Sequence, residues 1–258
     1  MKKILYPLVT AALLAVSAFV LPSIRQPAAD ARLYEMRVYY AEPGKLDGLL
    51  ARFREHTTKL FKKHGMTNVG YWVPMDNTDN KLIYVLSYPN RSAREQSWKD
   101  FLADPKWKQA AANSEKNGKL VTRIESVYMK TTDFSPELRL TKSREPRAFE
   151  LRTYKTTPGN QENLLARFRD HTVKLFEKHG MTNFSYWTPT EKEGGADDTL
   201  IYILAHQSKE AGLKSFDEFR QDTDWQAARK ASEEKGGGSL TVSVESVYMT
   251  PTDFSPVK

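Results

Sequence analysis

The chain has 258 residues, a formal charge of +7 and no cysteine. The missing thiols exclude a disulfide scaffold, a thiol nucleophile and a cysteine-held metal, so stability must come from ordinary cores, which two units of about 110 residues can build. The basic excess is spread over mixed-sign stretches such as Arg52 to Lys63, without a clustered stripe or an exposed aromatic platform, so no nucleic-acid partner is expected.

At the N-terminus, Lys2 and Lys3 precede an apolar run from Ile4 to Leu21 that Pro7 interrupts, and Ala29-Asp30-Ala31 places small residues at alternate positions. This is the pattern of a secretory signal cut after Ala31. Residues 1–31 are therefore expected to be removed, giving a protein exported to the periplasm or the extracellular space with no stable membrane insertion. An uncleaved anchor is the alternative, but the run sits near the lower limit of the ~17 to 25 residues that span a bilayer.

The rest of the chain is written twice. Leu49 to Arg54 recurs as Leu164 to Arg169, Lys63 to Asn68 as Lys178 to Asn183, Glu125 to Met129 as Glu245 to Met249, and Thr132 to Pro136 as Thr252 to Pro256. Small insertions in the second copy fall around Glu193 to Asp198 and Gly236 to Gly238, where loops tolerate length change. Two copies of so long a unit point to paired domains, and not to a solenoid.

Within the first copy, Tyr34 to Tyr40 alternates side-chain character and reads as a strand, with Phe149 to Tyr154 as its twin. Pro43-Gly44 and Pro158-Gly159 end these strands. Leu46, Leu49, Leu50, Phe53, Leu60 and Phe61 then follow helical spacing up to His64-Gly65, a last-turn histidine and a glycine cap. Two strands follow, Asn68 to Pro74 and Leu82 to Tyr88. Ser92 with Glu95 suggests a capping box for a helix running to Leu102, and Asp104-Pro105 suggests a second start for a helix ending near Asn117-Gly118. A strand from Leu120 to Met129 closes the unit before an Asp-Phe-Ser-Pro tail.

The order β-α-β-β-α-β is the ferredoxin-like unit, one antiparallel sheet with helices on one face. Its other face needs a cover, and two copies in one chain can cover each other. The expected fold class is therefore α+β, with tandem ferredoxin-like repeats at 32–136 and 147–258, joined by a linker at 137–146, closing an intramolecular barrel.

The strand bearing Glu35, Arg37 and Tyr39, the Pro43-Gly44 turn, Lys63-His64-Gly65, Tyr71-Trp72 and Asp104-Pro105-Lys106-Trp107, in this order, resemble the NIPSNAP family of the dimeric α+β barrel superfamily. The second copy repeats them with Glu150, Arg152, Tyr154, Pro158-Gly159, Lys178-His179-Gly180 and Tyr186-Trp187, and departs where Asp224-Trp225 lacks the proline. The resemblance implies mainly the fold. Superfamily relatives include cofactor-free monooxygenases, haem-degrading enzymes and chlorite dismutases, whose chemistry belongs to sites grafted on the barrel.

Period-two alternation puts Glu35, Arg37 and Tyr39 on one strand face and Tyr34, Met36 and Val38 on the other. If the apolar face meets the helices, the polar triplet and its twin Glu150, Arg152 and Tyr154 look into the barrel. There, Arg37 and Arg152 could hold an anionic or carbonyl-bearing ligand among Tyr39, Tyr71, Tyr154 and Tyr186; the competing reading is an ion pair of Glu35 with Arg37 satisfied across the seam between repeats. His56 and His171 flank their helices' apolar stripes and read either as hydrogen-bonded core residues or as general bases or haem ligands. Trp72, Trp98, Trp107, Trp187 and Trp225 read as core anchors.

No metal site is expected, since no histidine spacing suits one, and no cofactor is expected. The sequence thus supports a protein that takes a small molecule in the barrel, without turnover and with homo-oligomerisation open; the alternative is a cofactor-free monooxygenase-like or haem-associated enzyme. The copies differ at Tyr88 against His206 and Trp98 against Phe216.

Overall fold

The computed structural model describes residues 30–140, 145 and 147–258, so the expected signal segment lies outside the described residues except for its last two positions, and the expected linker is described only in part. The first repeat runs β1 (Leu33–Ala41), α1 (Leu46–Arg52), α2 (Thr58–Lys63), β2 (Thr67–Pro74), β3 (Lys81–Tyr88), α3 (Arg91–Ala103), α4 (Pro105–Ser114) and β4 (Val121–Thr131). The second runs β5 (Ala148–Thr156), α5 (Gln161–Arg167), α6 (Val173–Lys178), β6 (Thr182–Pro189), β7 (Thr199–His206), α7 (Lys209–Gln221), α8 (Thr223–Gly236) and β8 (Thr241–Pro251).

The eight strands close one barrel in the order β1-β3-β2-β8-β5-β7-β6-β4. The repeats join at two seams, where β2 pairs with the end of β8 from Trp72↔Pro251 to Pro74↔Met249, and β4 pairs with β6 from Met129↔Pro189 to Thr131↔Trp187. The repeated Asp-Phe-Ser-Pro tails are clasps across these seams. Phe254 packs on Phe53 and Tyr71 of the first repeat while Phe134 packs on Phe168 and Tyr186 of the second. Arg54 grips Asp253 through two hydrogen bonds of 2.6 and 2.9 Å, and Arg169 grips Asp133 the same way at 2.5 and 2.9 Å.

The barrel interior reverses one expectation. Tyr34, Met36, Trp72, Phe149, Leu151 and Trp187 belong to one apolar cluster drawn from both repeats, which fills the barrel. An eight-stranded barrel is just wide enough for its own side chains, and buried charge there would have no route to compensation. Glu35, Arg37 and Tyr39 instead face the helices, as do Glu150, Arg152 and Tyr154. Alternation separates two strand faces but does not say which is inward. Interior packing is tight: the Trp72 indole lies over Gly70, where a Cβ would fall 2.1 Å from its Cη2.

Three local readings also change. The helix from Leu46 is interrupted by a π turn at Phe53–Thr57, repeated at Phe168–Thr172, with the Thr57 and Thr172 hydroxyls each donating to a carbonyl five residues back, that of Arg52 and of Arg167, at 3.1 Å. Asn90, and not Ser92, caps α3 by accepting from the Ala93 amide at 2.9 Å. Asp104 caps α4 as expected, but in the second repeat Asp222 takes that place, with Thr223 where the first repeat has Pro105, so the missing proline leaves the helix start intact. Among the described residues no helix is long and apolar enough to cross a membrane.

Candidate functional site

Each repeat holds a cleft between its sheet and its helices. In the first, β1 supplies Arg37 and Tyr39, the end of α1 supplies Arg52, the π turn supplies Phe53 and Thr57, and α3 and α4 add Trp98, Leu102 and Trp107 around a space of ≈ 460 Å³. Within the π turn Phe53 and Thr57 are buried while His56 is exposed, and Arg52, the last residue of α1, is buried beside them. The second cleft, ≈ 280 Å³, is built by Arg152, Tyr154, Arg167, Phe168, Phe216 and Trp225. Trp98, Trp107 and Trp225 are thus half-buried cleft walls, whereas Trp72 and Trp187 are fully buried in the barrel.

Behind the first cleft, Glu35 is fully buried and satisfied from every side. Arg94 donates Nε to Oε2 at 3.0 Å and Nη2 to Oε1 at 2.9 Å, Arg37 donates Nη1 at 2.5 Å, and the Tyr88 and Ser126 hydroxyls donate at 3.0 and 2.8 Å. Burial works against its ionisation, but the Arg94 hydrogen bonds and the Arg37 charge outweigh it and bring its pKa to about 2. The Glu35–Arg37 pair therefore exists, within one strand and not across the seam. The Arg37 guanidinium lies over Trp98 at 4.5 Å and Tyr39 at 5.6 Å, and burial against it is outweighed by surrounding tyrosine and Glu35 oxygens, which raise its pKa.

Behind the second cleft the acid is the same and its partners are not. Glu150 accepts from Arg152 Nη1 at 2.5 Å and from Ser246 at 2.6 Å, and faces His206 Nε2 at 3.0 Å. Burial opposes its ionisation, yet the His206 hydrogen bond and the Arg152 charge lower its pKa, so the carboxylate accepts and the facing nitrogen of His206 carries the proton. Gly212 stands where the first repeat has Arg94, and this empty place admits His206. Arg152 repeats the geometry of Arg37, lying over Phe216 at 4.5 Å and Tyr154 at 5.5 Å.

The remaining sequence candidates separate from the clefts. Tyr71 and Tyr186 are fully buried, each donating its hydroxyl to the side chain of Asn68 or Asn183, so they brace the sheet. His56 and His171 are exposed, and His56 is 3.8 Å from the exposed Glu55. Neither is a core residue and neither lines the two sheet–helix clefts. His64 and His179 hydrogen-bond the cap residues Asp104 and Asp222 at 2.8 and 2.7 Å, tying the end of α2 to the start of α4 and the end of α6 to the start of α8. Sequence reasoning passed over Arg52, Arg94 and Arg167; comparing the copies at position 94 against 212 carried the signal.

Residues 34–136 and 149–256 each match the NIPSNAP family model. Among curated proteins, the chain is similar to Protein NipSnap homolog 3A of Homo sapiens, 25% identical over 231 residues that span 89% of this chain and 87% of that protein. The Pongo abelii protein of the same name is 24% identical over the same shares. Among solved structures, an anthrone oxidase-like protein shares the fold, with a TM-score of 0.60 and 14% identity across 86% of this chain and 92% of that one.

Proposed function

The chain belongs to the NIPSNAP family, and from its geometry we propose that it is a binding protein for a small, partly apolar molecule bearing an anionic or carbonyl oxygen, taken up in the sheet–helix cleft of the first repeat. One observation carries this reading. Arg37 stands at the wall of a space of ≈ 460 Å³, with one nitrogen committed to Glu35 and its plane set by Trp98, so it is pre-organised beside aromatic surface. Small-molecule sites typically offer about 300 to 1,000 Å³ of mainly apolar wall with a few fixed polar groups, which this cleft matches. The barrel interior, filled by its own side chains, has no part in it.

The fold shared with an anthrone oxidase-like protein brings oxidative turnover into view as a second class of function. The positions of His56 and His171 outside both clefts favour binding over that chemistry. Export after removal of residues 1–31 belongs to the same proposal. Asp30, on the discarded side of the expected cut, accepts from the Tyr34 hydroxyl at 2.5 Å and from Arg32, contacts the mature chain would forgo.

Native mass spectrometry of the mature chain tests the proposal by reporting both its start and any retained molecule. A panel of phenols, quinols and quinones should contain compounds that raise the melting temperature, and Leu102→Arg, at a position 53% exposed on the cleft rim, should weaken them without unfolding the protein. The reading fails if no molecule is retained and no compound shifts melting.

A further inference from the structure

Arg52 and Arg167 hold the same place in the two repeats, and both side chains are 6% exposed. Their counter-charges differ. Arg52 donates Nη1 to Glu115 Oε1 at 2.9 Å. At Arg167 the matching oxygen, Glu233 Oε1, is 3.9 Å away, and the nearest acceptor is the Ser232 hydroxyl at 3.4 Å.

The cause lies one helical turn upstream. Arg229 captures Glu233 Oε1 at 2.9 Å as an i,i+4 pair, whereas the first repeat has Ala111 at that position, which cannot compete for Glu115. The buried Nε of each arginine has no hydrogen-bond partner among the described residues, so the two repeats differ in the counter-charge alone. Desolvation depresses the pKa of this guanidinium, while its twin's carboxylate sits in contact. A buried cation with its counter-ion drawn away is an expensive arrangement that an entering anion would relieve.

The rest of the cleft states the size and shape of such an anion. It encloses ≈ 280 Å³, its wall includes Trp225, and the Arg167 guanidinium carbon is 5.1 Å from that ring. Where the first cleft has Leu102 and Ala111, this one has Arg220, engaged by Asp217, and Arg229.

We propose that the second cleft is a separate binding site for a small aromatic carboxylate, whose acid group takes the unmade hydrogen bonds of Arg167 and whose ring lies against Trp225. The second cleft then takes carboxylates independently of the first, and this site stands whether or not the first cleft binds anything.

Titration of the full chain with benzoate at low salt, followed by calorimetry and by tryptophan quenching that Trp225→Phe should remove, tests it. Benzoate should bind at least about tenfold more tightly than neutral benzyl alcohol, since a charge-assisted pair is at stake. Arg167→Gln should lose that preference. Arg229→Ala, at a position 58% exposed, returns Glu233 to Arg167 without threatening the fold, and should weaken benzoate by about tenfold as well. Leu102→Arg, confined to the first cleft, should leave benzoate unaffected. The proposal is overturned if benzoate gives no heat and no quenching, if benzyl alcohol binds equally, if Arg229→Ala binds as the parent does, or if Leu102→Arg abolishes the signal.

Discussion

Gly212 and His206 are shaped to each other: a Cβ at position 212 would lie 2.9 Å from the imidazole Cγ and equally close to the Tyr248 hydroxyl. In the first repeat the same two positions are Arg94 and Tyr88, which reach Glu35 together. Each buried glutamate therefore has one of two matched partner sets, a tyrosine with an arginine, or a histidine with a glycine.

Gly212→Ala should destabilise the chain by roughly 1 to 3 kcal/mol, because the added methyl overpacks a buried site. Gly212→Arg should cost more, and adding His206→Tyr should recover part of the loss by rebuilding the first repeat's set. Urea denaturation of the two singles and the double gives the coupling energy; purely additive effects would show that the pairs are independent.

Acid should loosen the fold through Glu35. A carboxylate whose pKa is depressed by folding contributes stability that is full above its ordinary value of 4.5 and is lost as pH falls toward about 2, worth on the order of 3 kcal/mol when complete. Glu35→Gln should lower the melting temperature at neutral pH, since Arg37 and Arg94 are left uncompensated, and should flatten the decline between pH 4.5 and about 2. Melting temperature against pH for both proteins is the check; parallel curves would remove Glu35 as the cause.

Arg37→Lys keeps a charge beside Glu35 but gives up the flat stacking on Trp98 at 4.5 Å. Melting should fall by only a few degrees while retention of a first-cleft ligand drops. Unaltered retention, seen by native mass spectrometry, would reduce Arg37 to a structural partner of Glu35.

Trp72→Ala empties part of the barrel and should cost about 3 to 5 kcal/mol. Because Trp72 packs on Phe149 and Phe184 of the second repeat, the loss should reach both halves at once in a single thermal transition. Separate melting of the two repeats would contradict one shared core.

The order of elements, the duplication and the mutual covering of two sheets were legible from spacing alone, because helix and strand periods and the Asp104-Pro105 start are local properties. The candidate site was half legible. Alternation along β1 put Glu35, Arg37 and Tyr39 together, yet gave no direction, and only closure of the barrel decided that Tyr34, Met36 and Trp72 would fill the inside while the charged face met the helices. The π turn that follows Arg52 and Arg167, burying Phe53 and Phe168 while His56 and His171 stay exposed, depends on packing against the sheet. Likewise, the capture of Glu233 by Arg229 instead of Arg167 is a competition between distances, 2.9 against 3.9 Å, which exists only once the helices are assembled.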